Sequence, residues 1–490
     1  MPQTKKQLFA LFAITFTIKI ALALYFSHLQ VCQMPDAKFG YLALNGGDTF
    51  SYFGVMDNLL EHGEYYFYNG ARNVYAGRMP YYGAPYFFLR LFFDKSAAND
   101  IFVAFQIFFD ALATILFARL CFSISPVKPA FWIGYAIYFC SFNYFVWSLT
   151  LVTESLSLSF LIFFLYFYHC FWKTQKWSDA VSAGIFLALM TVLKPYLVLL
   201  YPAFLLGVLY KEKTFDLAGV LSYLRKATIL SLPLLILLTP WIARNAIVLK
   251  KFVPAQENIY AGYNYSDAYI SFTNFAGAWG GGVIFWDAGD AGCYFLLNPS
   301  HGCNFTIPEY ALTDEYDIED VERLRQNYLR LQENFSPELE KSVTIEFERL
   351  TEIYKQEKPF MYYVGSKFIF IKKLFWHTNN YSLPIHPSFK CYNSFQLLFK
   401  IVQFIIYVLA LTLGVFGLLK LIYERKISFL FLAVPVIIVI FFAEIRTTEP
   451  RYVSPVYLIL LFGIPISLLA LFRVLKVYYY KLRYKNMKPV

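Results

Sequence analysis

The residues best suited to chemistry follow the first long apolar run of the chain. Asp48 stands in Asn45-Gly46-Gly47-Asp48-Thr49, and a segment rich in Tyr, Gly and Pro follows it. A carboxylate at a membrane surface can take a proton from an attacking hydroxyl or amine, which is the work of a general base. Asp48 is therefore the candidate catalytic residue. An alternative stays open. Asp is also a favoured N-cap, so the role of Asp48 could simply be to cap a helix over 49–60.

Basic side chains recur in short segments further along the chain and form the second candidate group. Arg grips a phosphate with a planar fork and Lys with a point charge. The candidate phosphate ligands are Lys194, Arg244, Arg446 and Arg451, and the candidate substrate-positioning residues are Arg78, Tyr81, Glu154, Trp241 and Tyr452. Simpler interpretations remain for each group. Arg at the end of a membrane span often reaches lipid headgroups, and Trp and Tyr often form an interfacial belt.

The composition identifies the elements that must position these residues. The chain has 490 residues, of which 58% are hydrophobic and only 16% are charged, whereas soluble domains carry about 25% charged residues. Continuous apolar runs of the length that crosses a bilayer as a helix recur. The predicted fold is an α-helical, polytopic membrane bundle of about ten spans with a mostly helical extracytoplasmic subdomain. The spans lie near 7–27, 101–122, 129–149, 152–171, 179–194, 196–211, 227–246, 397–421, 427–444 and 452–474.

The distribution of Lys and Arg predicts the orientation of the bundle. Counting spans from a cytoplasmic N-terminus places most short basic loops and the basic tail inside. The net charge of +10 then reflects the orientation of the chain in the membrane. It does not indicate a nucleic-acid partner. All the candidate segments fall on the opposite, Asp48 side. We expect a multi-pass protein of a bacterial cytoplasmic membrane with its site on the extracytoplasmic face. The spans are nearly free of charge, with Asp110 and Glu154 placed near their ends.

Three regions are expected. The first, 1–247, is a transmembrane module with an outer loop at 28–100; the second, 248–396, is an extracytoplasmic subdomain; the third, 397–490, holds the last spans and the tail. In the second region, apolar residues at helix spacing predict a helix, and 361–376 is interpreted as an interfacial helix. Cys293 and Cys303 could form a disulfide or remain thiols. No motif requires a metal or any other cofactor.

The order of these motifs resembles a known family. It runs from Asp48 in the first outer loop through Thr153-Glu154-Ser155-Leu156 and Leu193-Lys194-Pro195 to Pro240-Trp241-Ile242-Ala243-Arg244-Asn245 and Arg451-Tyr452. It is similar to the GT-C glycosyltransferases, in the group of the dolichyl-phosphate-mannose protein mannosyltransferases and the aminoarabinose transferases. The resemblance covers roughly 1–250 and 397–475. Many relatives carry Asp-Glu where this chain has Asp48-Thr49, and often Arg in place of Lys194.

The resemblance implies a function. Asp48 would be the catalytic base of an inverting transfer, and the donor would be a sugar on a polyprenyl phosphate. The acceptor would be a protein, a lipid or a cell-envelope glycan, selected by the 248–396 subdomain with its Tyr- and Gly-rich segment 260–282, unless that subdomain is only a lid. Two other classes stay open from the residues alone. One is a transporter or flippase of a lipid-linked or anionic substrate, and the other is a non-catalytic scaffold.

Overall fold

The structure, a computed structural model, describes residues 4–33, 35–68, 73–211, 216–256, 267–284, 289–296, 302–375, 383–385, 392–446 and 449–485. In these ranges the chain is helical apart from loops and one short antiparallel hairpin. Among the described residues, six helices are long and apolar enough to cross a membrane. The predicted class, an α-helical membrane protein, is therefore confirmed.

The first part of the chain forms the helices that surround the first loop. They are α1 (Lys5–Gln33), α2 (Val55–His62), α3 (Ala84–Arg90), α4 (Lys95–Ile124), α5 (Lys128–Phe139), α6 (Phe142–Val146), α7 (Glu154–Thr174), α8 (Trp177–Leu193), α9 (Leu200–Lys211) and α10 (Leu217–Leu249). The hairpin strands β1 (Phe67–Tyr68) and β2 (Asn73–Val74) lie between α2 and α3.

The remaining helices form a separate subdomain and then return to the bundle. The subdomain and its connection contain α11 (Asp267–Ala278), α12 (Ala291–Leu296), α13 (Ile318–Glu333), α14 (Pro337–Glu357) and α15 (Ser366–Phe375). The returning helices are α16 (Ser394–Leu409), α17 (Val415–Tyr423), α18 (Leu430–Glu444), α19 (Ser454–Leu461) and α20 (Gly463–Lys485).

The number of spans stays a prediction. The six long apolar segments are Lys5–Cys32, Lys95–Ile124, Glu154–Thr174, Leu217–Leu249, Ser394–Tyr423 and Pro450–Tyr479, and Trp177–Leu193, Pro195–Lys211 and Leu430–Glu444 are shorter apolar helices. The expected span at 129–149 is divided into α5 and α6. The two short runs that meet at Lys194 are separate helices, because the backbone leaves the helical region at Lys194 and a 3₁₀ turn begins at Pro195.

The bundle is held together by close helix packing around α7. Of the six long apolar segments, α7 is the most enclosed, and it packs against α4 and α8. Small residues allow close backbone contact between the α16–α17 segment and α20. A Cβ added to Gly463 would lie 1.9 Å from the carbonyl oxygen of Gly414, and one added to Gly417 would lie 2.0 Å from that of Gly463. In a bilayer, where apolar burial gives little driving force, such backbone approach is a main source of helix association.

A buried ion pair joins α1 to α4 in the middle of both helices. The ammonium of Lys19 contacts a carboxylate oxygen of Asp110, and the two side chains are 1% and 4% exposed. The Tyr138 hydroxyl donates to the other Asp110 oxygen at 3.0 Å, and Phe145 lies 5.0 Å from the Lys19 ammonium. The placement of Asp110 near a span end was wrong, since Asp110 lies in the middle of α4 (Lys95–Ile124), as it also does in the expected span 101–122.

The subdomain has a hydrophobic core of its own, formed by residues between Ala268 and Tyr354. The helix predicted there is confirmed as α13, which begins with a capping box at Asp317 and buries Val321, Leu324, Tyr328 and Leu331. The segment predicted to be interfacial contains α15, which turns Phe370 and Leu374 inward while Phe368 stays exposed; its position at an interface stays a prediction. Cys293 and Cys303 are not joined by a disulfide. Residues 260–266 lie outside the described ranges.

Candidate functional site

The loop that carries Asp48 is held in place by hydrogen bonds of its backbone. Asp100 accepts hydrogen bonds from three successive amides, those of Tyr41, Leu42 and Ala43, at 2.8 to 3.1 Å. Leu44 then pairs with the loop before α7: its amide donates to the Leu149 carbonyl at 2.9 Å, and its carbonyl accepts from the Leu151 amide at 3.1 Å. This pairing places the first loop beside the start of α7, although the two are distant in sequence.

A tight turn then directs Asp48 towards the centre of this end of the bundle. Gly47 has φ of 76°, a left-handed conformation that glycine adopts without steric cost. The Asn45 side chain accepts from the Gly47 amide at 3.1 Å. The following helical turn has Thr49, not Asp48, at its N-cap. The Asp48 carboxylate faces two guanidinium groups instead, those of Arg451 at 3.2 Å and Arg78 at 3.7 Å.

Arg78 is oriented on the same loop. Its Nε donates to the Ser51 hydroxyl at 3.0 Å, and that hydroxyl donates to the Asp48 carbonyl at 2.7 Å. The guanidinium lies 4.4 Å from the centre of the Tyr52 ring. The Tyr65 hydroxyl donates to the Arg78 carbonyl at 2.8 Å. Burial raises the pKa of Tyr65, so this hydroxyl keeps its proton at neutral pH.

Three helix ends bring further charges to Asp48. Glu154 is the first residue of α7, Lys194 follows the last residue of α8, and Arg451 lies in the 3₁₀ turn Pro450–Val453 before α19. One Glu154 oxygen lies 2.7 Å from the Lys194 ammonium and 3.5 Å from Arg451 Nη1. The Arg451 Nε lies 2.5 Å from an oxygen of Glu449. We call Asp48, Arg78, Glu154, Lys194, Glu449 and Arg451 the charge cluster.

Aromatic rings pack against two cations of the charge cluster, Lys194 and Arg451. The Tyr452 ring lies 5.7 Å from the Lys194 ammonium and 5.3 Å from the Arg451 guanidinium, and it stacks on Phe442 at 4.8 Å. Tyr196 meets the Tyr452 ring edge to face. Cation–π contacts of this kind hold cations without neutralising them.

The cations predicted as one phosphate site are only partly brought together. Lys194 and Arg451 share Glu154. Arg244 lies at the base of the hairpin, where its Nη atoms donate to the carbonyls of Tyr75 at 2.7 Å and Tyr65 at 3.2 Å. Arg446 turns away towards the subdomain, since its Nη1 donates to the Asn274 carbonyl at 3.0 Å and its guanidinium lies 5.8 Å from Tyr362.

Two predicted positioning residues connect the first loop to α10. The Trp241 indole donates to the Ala255 carbonyl at 2.6 Å, and its ring meets Tyr65 edge to face. The Tyr81 hydroxyl donates to the Leu237 carbonyl of α10. With Arg244, these contacts hold the hairpin and the first loop against the end of α10.

Several residues of the site were missed from sequence. Glu449 stands two residues before Arg451 with Pro450 between them, and this local charge pair is a signal that could have been used. Ser51, Tyr52, Tyr65 and Asp100 carry no such signal, because their roles arise from contacts between distant segments.

The charge cluster balances three carboxylates against three cations at one end of an apolar bundle. Such a site can accept a proton at Asp48 and bind an anion through Lys194 and Arg451. Within the described ranges, no group of three or more His, Cys, Asp or Glu side chains is arranged to hold a metal ion. The fold and the site define an α-helical membrane protein with a charged site where several of its helices end. The chain matches no protein-family model and none of the curated proteins compared with it.

Proposed function

We propose that this chain is a membrane glycosyltransferase that moves a sugar from a polyprenyl-phosphate donor to an acceptor at the membrane surface, with inversion at the sugar carbon. The observation that carries the proposal is the contact of Asp48 with Arg451, which shares the carboxylate of Glu154 with Lys194. A base and two phosphate-binding cations thus lie side by side where a lipid phosphate reaches the membrane surface.

The reaction follows from these groups. The acceptor oxygen or nitrogen attacks C1 of the sugar and transfers its proton to Asp48, while the bond from C1 to the phosphate oxygen breaks. The leaving polyprenyl phosphate gains negative charge, which the fixed cations Lys194 and Arg451 stabilise as it develops. The phosphate leaves without needing a proton, so one carboxylate suffices, in contrast to the pair used by glycosidases.

The basic residues at the other end of the bundle support the proposed orientation, with the site outside a bacterial cytoplasmic membrane. Lys211 lies 4.4 Å from the Trp172 ring, Arg225 lies 4.6 Å from the Trp177 ring, and Lys173 donates to the Ser123 carbonyl. Basic loops of multi-pass proteins face the cytoplasm, which puts the charge cluster on the outer face.

Lipid binding tests the donor half of the proposal. We expect Arg451→Ala to weaken binding of a polyprenyl phosphate by about tenfold or more, because a charge-assisted fork to the phosphate is lost. Binding of the neutral polyprenol should change little. Arg446→Ala is the matched control, because Arg446 is in the same loop as Arg451 but lies outside the charge cluster. Equal losses in both variants, or equal losses for phosphate and alcohol, would contradict the assignment.

The acceptor half is assigned to the 248–396 subdomain. Its separate core and its bridge to the site loop through Arg446 support this division. We expect Arg446→Ala to raise the KM for the acceptor severalfold, because the loop loses its hold on α11, while the affinity for polyprenyl phosphate stays unchanged. Steady-state kinetics with each substrate varied in turn measures the effect. A shift confined to the donor KM would assign Arg446 to the phosphate site instead.

A transporter or flippase is the second candidate, and the mid-span pair Lys19–Asp110 favours it, since ionisable residues inside spans often mark a substrate path. Reconstituted vesicles distinguish the two classes. A transferase forms a new glycoside that mass spectrometry detects, whereas a flippase only moves a labelled polyprenyl-phosphate sugar between leaflets. Movement without any transfer product would favour the second candidate.

A further inference from the structure

Glu449 is a member of the charge cluster that has no role in the proposed reaction. Its carboxylate lies 2.5 Å from Arg451 Nε, and its side chain is 18% exposed. It occupies the Nε edge of the guanidinium, which is one of the two edges through which Arg grips a phosphate with paired hydrogen bonds. A resident carboxylate therefore lies where a phosphate oxygen is expected to bind.

Charge balance shows why this position matters. The cluster holds three carboxylates, Asp48, Glu154 and Glu449, and three cations, Arg78, Lys194 and Arg451. An added phosphate makes this partly buried site net negative, which is unfavourable unless one carboxylate leaves or takes up a proton.

Of the three carboxylates, Glu449 is the one that can move away from Arg451. Asp48 must stay as the proton acceptor. Glu154 is 4% exposed and holds both Lys194 and Arg451. Glu449 lies on a loop, outside the following 3₁₀ turn, with an extended backbone. When it moves away, Arg451 keeps its contacts with Asp48, Glu154 and Tyr452, so the guanidinium stays in place and the site gains one positive charge.

We infer that Glu449 is a specificity-determining residue that competes as an internal anion for Arg451 and keeps the abundant anionic phospholipids of the bilayer out of the donor-phosphate site. The inference rests on the proposed function. A ligand displaces Glu449 only if it makes further contacts. The leaving phosphate of the donor can do so, because Lys194 and Arg451 both lie within 3.5 Å of one Glu154 oxygen and are thus close enough for one phosphate to bridge.

The test measures binding of a polyprenyl phosphate to the full chain in two kinds of vesicle. In phosphatidylcholine, Glu449→Gln should bind about tenfold more tightly than the wild type, because one competing charge is removed from a partly buried site. In vesicles that also contain phosphatidylglycerol, that gain should disappear, because the phospholipid now competes. The wild type should bind equally in both.

Glu444→Gln is the matched control. Glu444 is the last residue of α18, five positions before Glu449, but it is 62% exposed and pairs with Lys367, outside the charge cluster. It should behave as the wild type in both vesicles. Weaker binding by Glu449→Gln in phosphatidylcholine would overturn the inference and make Glu449 a residue that orients Arg451. Unchanged binding in both vesicles would also overturn it. Failure of the wild type to bind polyprenyl phosphate would instead contradict the proposed function.

Discussion

Replacing Asp48 by Asn should slow sugar transfer by about a hundredfold or more, the usual loss when a general base is removed. The amide keeps the size and shape of the carboxylate but cannot accept the proton of the attacking acceptor. The rate is measured as transfer of a labelled sugar from a polyprenyl-phosphate donor by the purified protein. The folded state should persist, because the hydrogen bonds that hold the loop through Asp100 and Leu44 remain in this variant.

Two comparisons separate a chemical role from a structural one. Asp36→Asn removes an exposed carboxylate from the same connection after α1 and should leave the rate unchanged. Polyprenyl phosphate should still bind to Asp48→Asn, since Lys194 and Arg451 remain. A rate close to that of the wild type, or loss of lipid binding together with the rate, would remove Asp48 from the role of base.

The second large effect concerns stability. We expect Asp110→Asn to destabilise the protein by about 3–5 kcal/mol, the range for breaking a buried ion pair by removing one partner. Lys19 is 1% exposed, so its charge would remain in the bundle without its carboxylate. The midpoint of thermal unfolding in detergent should fall accordingly.

The double variant Lys19→Met with Asp110→Asn is the informative control. It removes both charges, and replacing a buried ion pair by uncharged side chains of similar volume is often close to neutral. Its unfolding midpoint should lie well above that of Asp110→Asn. If the two midpoints coincide, the loss comes from the change at position 110 itself, where Tyr138 donates its hydrogen bond, and not from an isolated charge on Lys19.

Features encoded in local sequence were predictable. Long apolar runs gave the helical membrane class, and helix spacing identified the buried face of α13 from Val321 to Leu331. The break at Lys194 followed from Pro195, which constrains the backbone of the residue before it. Each of these signals lies within one turn or one helix.

Features that depend on contacts between distant segments were not predictable. Lys19 and Asp110 meet because α1 and α4 pack at one particular rotation, which the composition of neither helix reveals. Arg446 and Arg451 are close in sequence, yet Arg446 has φ of 58° and contacts the subdomain, while Arg451 follows Pro450 and contacts Asp48. Shared location in one loop therefore did not imply a shared site.

The ion pair between α1 and α4 also has a consequence for synthesis in the cell. α1 is made before α4, and its central lysine costs about 2.5–3.5 kcal/mol in a lone span on the insertion scale. Its partner Asp110 reaches the membrane only with α4. We expect α1 to remain beside the insertion machinery until α4 emerges, so that the two helices enter the lipid as a pair because their charges attract each other.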